Sequence, residues 1–69
     1  MVNVKKLRGK IVERGMNVES VAESMKIARS TLYRKLGAGG DSISIREAKQ
    51  LAEILSLSPR EAEEIFFAK

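Results

Sequence analysis

The run from Asn17 to Gly37, NVESVAESMKIARSTLYRKLG, constrains this chain more than any other stretch. It holds two short amphipathic helical patterns with only a few residues between them. Asn17 is placed to cap the first, which carries Val21, Ala22 and Met25 on its apolar side, and Met16 can pack on Val21 as a hydrophobic staple. That helix is expected over residues 18–25. Lys26 and Ile27 make a turn too tight for a loop, with Ile27 as an apolar plug, and the second helix follows over 29–36. Gly37 then offers a residue able to take the left-handed conformation that ends a helix.

This is the layout of a helix-turn-helix. At about 100° per residue, Leu32 and Leu36 share one stripe of the second helix, while Ser30 and Arg34 point almost directly away from it. Thr31 and Tyr33 flank the outward stripe, Arg29 sits in the first turn, and Lys35 is turned aside. The face away from the core therefore offers guanidinium donors with hydroxyls interleaved, a set that suits base edges and phosphates.

The run Val21-Ala22-Glu23 through Met25-Lys26-Ile27-Ala28-Arg29-Ser30-Thr31-Leu32 resembles the helix-turn-helix of the lambda-repressor-like, Cro-like phage and plasmid regulators. Ala22 stands where the two helices cross. The resemblance continues through Ser44–Leu55 to Glu64-Ile65-Phe66-Phe67 and so covers nearly the whole chain. Two positions depart from the pattern: Lys26 stands where the family usually has glycine, and Ala28 where it often has serine. Each departure costs on the order of 1 kcal/mol of stability, and neither removes a base contact.

A chain of 69 residues is near the lower limit at which a core can form without disulfides or metal, so dimerisation would help it. With no cysteine and no histidine, disulfides, ordinary zinc sites and the usual thiol or imidazole catalytic pairs are excluded, and no cofactor is expected. No apolar run approaches a membrane span and MVNVKKLRGK lacks the apolar core of a signal peptide. The expected location is the cytoplasm of a bacterial host cell, or its nucleoid. Charge is uneven: residues 1–36 hold nine Lys/Arg against three acids, and residues 37–69 hold four against six. The basic half contains the motif, which favours a polyanion, with nucleic acid ahead of membrane; a charge surplus alone is equally compatible with a solvated surface.

Elsewhere, Asn3 can cap a first helix with Val4, Leu7 and Ile11 on one stripe, ended by Gly15. Lys5 or Lys6 could approach a phosphate, though such residues more commonly only solubilise a surface. The glycine-rich stretch 37–42 has no phosphate-loop pattern; it either makes a simple turn or brings backbone N–H groups to a phosphate. Ser44-Ile45-Arg46-Glu47 is a capping box opening a helix with Ile45, Ala48, Leu51, Ala52 and Leu55 inward, and Ser58-Pro59-Arg60-Glu61 repeats the device for a helix with Ala62, Ile65 and Phe66 inward. Ile54 and Phe67 fall off their stripes and are the expected dimer contact.

The expected fold is all-α and lambda-repressor-like, one domain over 1–69 with helices at about 4–14, 18–25, 29–36, 45–56 and 59–67. The resemblance implies a sequence-specific DNA-binding regulator, a repressor of the Cro-like kind, that binds a near-palindromic operator in double-stranded DNA as a homodimer. Carried onto this chain, Arg29, Ser30, Tyr33 and Arg34 are the base-edge readers. Thr31 serves a thymine methyl or a phosphate, Asn17 and the N–H groups around Val18 hold a phosphate, and Lys35 contributes to phosphate contact or field. A protein antagonist is the expected means of control. The alternative is a small helical interaction domain that binds another regulator and touches DNA weakly; an enzyme is not expected, since the carboxylates are scattered and no base–nucleophile pair is available.

Overall fold

The computed structural model describes residues 2–67, and in it five helices surround one apolar core. They are α1 (Val4–Glu13), α2 (Val18–Met25), α3 (Arg29–Gly37), α4 (Ile45–Ile54) and α5 (Pro59–Phe66). The all-α expectation holds, with α1, α4 and α5 one or two residues shorter than the periodicity indicated and α3 one longer. α2 packs against both α3 and α4, while α1 packs against α5. Leu7, Val21, Leu32, Leu51, Leu55 and Ile65 are fully buried, one or more from every helix or its closing turn, and no polar side chain is buried with them among the described residues.

Helix starts follow local chemistry. Asn3, Asn17, Ser44 and Ser58 each accept from the backbone N–H three residues on. At Asn17, Ser44 and Ser58 the third residue returns the bond, through Ser20, Glu47 and Glu61 respectively, so two otherwise orphaned donors are satisfied at each end. α3 is the exception: Ala28 has the extended backbone of a cap and no side-chain acceptor.

The ends of α1 to α4 share one device, in which a residue with positive φ lets two N–H groups fold back onto the last carbonyls. The paired bonds run from Gly15 and Met16 to Val12 and Ile11, from Lys26 and Ile27 to Glu23 and Ala22, from Gly39 and Gly40 to Leu36 and Lys35, and from Ser56 and Leu57 to Glu53 and Ala52. Gly39, not Gly37, takes the left-handed conformation after α3. Because Gly39 and Gly40 spend their N–H groups on α3, this loop is a helix stop and does not present those amides to a phosphate. Lys26 and Ser56 hold the same geometry at φ 60° and 51° with a Cβ in place. Lys26→Gly and Ser56→Gly are therefore each expected to raise the denaturant midpoint, by up to about 1 kcal/mol. Destabilisation at either site would mean that its side chain makes a contact that outweighs the backbone cost.

Two apolar residues of α4 exchange the places expected of them. Ile45 was expected inward and is 71 % exposed, whereas Ile54, expected at a surface contact, packs partly buried against the core. The helix is oriented by Leu51, its fully buried residue. Ile54, three residues on, lies about 60° from it, but Ile45, six residues back, lies about 120° away and in the first turn. Leu55 is buried from beyond the helix end, as its cap residue.

Candidate nucleic-acid interface

The motif is built on small and apolar contacts that leave one side of α3 uncovered. Ala22 is 1 % exposed where α2 meets α3, and Leu32 and Leu36 anchor α3 to the core. This rotation leaves Arg29, Ser30, Tyr33 and Arg34 on the open face, with Thr31 and Lys35 half-buried at its margins. Asn17 spends its side chain on Ser20, so it is the backbone N–H groups of Val18 and Glu19 that have no partner among the described residues. The serine that closes this box with Asn17 went unread in the sequence, because a serine at the third helical position is a weaker signal than a glutamate.

The cations of the basic half divide into two groups. Lys6 pairs with Glu64, Lys10 with Glu61 and Glu13, and Arg14 with Glu13, which ties α1 to α5 and neutralises much of the surplus within the fold. Arg14 also donates from Nε to the Leu55 carbonyl at 2.7 Å, placing a cation at the α4 C-terminus where the carbonyls would otherwise be unsatisfied. On α3, Arg29 Nη1 meets Glu19 Oε2 of α2 at 3.1 Å, and Lys35 Nζ is held by Glu47 Oε1 at 3.2 Å and the Ser42 carbonyl at 3.1 Å. Among the described residues Lys5, Arg8, Lys26 and Arg34 have no acidic partner in this half. Arg34 is thus the α3 cation free to reach outward, Arg29 can do so by leaving an exposed pair of small worth, and Lys35 is a brace between α3 and the start of α4.

The braces make stability depend on acid. The hydrogen bond from Lys10, reinforced by the Ser58 N–H, holds the Glu61 carboxyl down at about 2. Glu47 is lowered in the same sense by the Ser44 N–H and then by Lys35, against opposition from burial. A carboxyl depressed in the folded state stabilises it fully above the ordinary value and loses that contribution as pH falls towards the folded value. For Glu61 the window runs from 4.5 down to about 2. Urea midpoints at about pH 3 and about pH 7 should accordingly fall less steeply on acidification for Glu61→Gln than for the unaltered chain. Equal falls would show that the pair carries no linkage.

The expected dimer residues are not brought together on one patch. Phe67 is 64 % exposed and borders an apolar groove between α4 and α5 with Ile45, Ala48, Ala52 and Ala62, while Ile54 lies outside that groove. Among the described residues no group of side chains could hold a metal ion, and no helix is long and apolar enough to cross a membrane.

No curated protein and no solved structure matches the chain. Residues 6–39, from α1 through α3, match the family described as the helix-turn-helix domain of resolvase. The finding supports no particular likeness to the lambda-repressor-like or Cro-like regulators. Together with the crossed α2 and α3 and their open basic face, the match makes this an all-α protein with a helix-turn-helix domain of the DNA-binding class.

Proposed function

We propose that the chain is a sequence-specific DNA-binding regulator that lays α3 in the major groove and binds a near-palindromic operator as a homodimer, in the manner of a Cro-like repressor. The observation that carries this reading is the outward face of α3, where Arg29, Ser30, Tyr33 and Arg34 are exposed together beside the unpartnered amides at the start of α2. Arg34, with Arg29, supplies the bidentate donors that distinguish guanine in the major groove. Ser30 and Tyr33 read or border neighbouring edges, Thr31 meets a thymine methyl or a phosphate, and the Val18 amide beside Asn17 takes a phosphate. Held by Glu47, Lys35 acts on DNA through its field. Binding of a mixed-sequence duplex, followed from about 50 to about 200 mM salt, tests the nucleic-acid part: affinity should fall steeply, and a flat response would contradict it.

A second copy is part of the reading because one short recognition helix reads only a few base pairs. Two copies about a two-fold axis would set their α3 helices about 34–36 Å apart, one turn of duplex. Exposed Phe67 and Ile45 form the apolar face offered for that contact, and Ile54, packed against the core, is no part of it. Phe67→Glu should shift sedimentation from dimer to monomer and lower operator affinity with the helical signal retained. An unaltered chain that sediments as a monomer on its operator would contradict the dimer.

A further inference from the structure

We infer that the cleft between α1 and the motif, rimmed by Arg8, Asn17 and Tyr33, is a seat for a stretch of DNA sugar-phosphate backbone beside the groove that α3 enters. The inference rests on the DNA-binding reading and extends the contact surface to a helix outside the two-helix motif. The cleft measures about 210 Å³ and brings Arg8 and Val12 of α1 against Met16, Asn17, Val18 and Tyr33. Its chemistry matches a deoxyribose next to a phosphodiester. Val12 and Met16 make an apolar wall for the sugar, and the Arg8 guanidinium and the free amide of Val18 are the donors the cleft offers a phosphate.

Four further observations favour this occupant. No acidic residue lines the cleft, and the two acids nearest in sequence are engaged elsewhere, Glu13 with Lys10 and Arg14 and Glu19 with Arg29. Lys6 and Lys10 of α1 and Arg14 at its C-terminal cap are turned to acids within the fold, whereas Arg8 is exposed and has no acidic partner among the described residues. Val12, one turn on from Arg8, is 74 % exposed, a large apolar residue that folding alone leaves in water. Tyr33 belongs both to this cleft and to the outward side of α3, so a strand bordering the groove passes from one to the other without a gap in the surface.

The test compares Arg8→Gln, Val12→Glu, Arg60→Gln and Arg34→Ala in the full chain, each with its helical signal and melting checked, titrated with a mixed-sequence duplex over a range of salt. Arg60 is an exposed α5 cation with no acidic partner among the described residues, so Arg60→Gln removes the same charge from a different place. Arg8→Gln should lower affinity roughly five- to tenfold for all sequences alike and reduce the salt slope by about 0.9, the value of one phosphate, with Arg60→Gln nearly unchanged. Val12→Glu should weaken binding at least as much while the fold persists. If Arg8→Gln behaves like Arg60→Gln while Arg34→Ala still weakens binding, this inference fails and the DNA-binding reading stands. If the unaltered chain binds no duplex, both fail.

Discussion

Gly40→Ala should destabilise the fold by about 2–5 kcal/mol, a large part of what a domain of this size possesses. Gly40 has φ +80°, and a Cβ built there would lie 2.7 Å from the Cβ of Val2 and 2.9 Å from its Cγ1. The left-handed backbone accounts for about 1–2 kcal/mol of the loss and the overlap for the rest. The two parts are separable. Val2→Gly removes the obstructing side chain, so in the Val2→Gly background Gly40→Ala should cost only the backbone part. Gly9→Ala makes the opposite case, because a Cβ at Gly9 meets nothing within 4 Å in the middle of α1. A denaturant midpoint for Gly40→Ala equal to that of the unaltered chain would mean that the N-terminal residues do not pack over the α3–α4 turn.

The second large effect is on binding. Arg34→Ala is expected to cost roughly 1–3 kcal/mol on a preferred site and to relax the preference at one or two positions. Lys35→Ala should instead lower stability by releasing Glu47 and the Ser42 carbonyl, and weaken all sequences alike through the lost charge. Competition between matched and mismatched duplexes separates the two. Losses for Arg34→Ala that are the same on every sequence would remove it from the base readers.

The features legible in the sequence are those decided within one or two helical turns. Asn3, Asn17, Ser44 and Ser58 cap where expected because a cap needs only its own backbone and the next three residues. The short spacing between Met25 and Arg29 implies a tight turn, and the left-handed Lys26 in it follows from the resemblance, which usually has glycine there. The outward set Arg29, Ser30, Tyr33 and Arg34 follows from helical period once Leu32 and Leu36 are assigned to the core.

What could not be read depends on neighbours distant in the chain. The rotation of α4, which exposes Ile45 and covers Ile54, is set by how Leu51 meets the other helices, and a broad apolar stripe does not say which of its edges is covered. Helical period sets Lys35 apart from Arg34 but does not show that Glu47 holds it, and the half-chain charge overstates the free cations because α5 supplies Glu61 and Glu64 to α1. Arg8 gave no signal at all, since its position beside Asn17 and Tyr33 exists only in the folded chain. Likewise Ser56 read as helix although it is the left-handed residue that ends α4, because serine carries no marker for that conformation as glycine does.

Whether α3 reads base sequence is decided by selection of bound duplexes from a random-sequence pool. A two-fold symmetric consensus with half-sites about one helical turn apart is expected from base reading by α3, with a loss of preference at one or two positions of each half-site when the selection is repeated with Arg34→Ala. Recovery of duplexes with no shared sequence, or of the same consensus with Arg34→Ala, would contradict it.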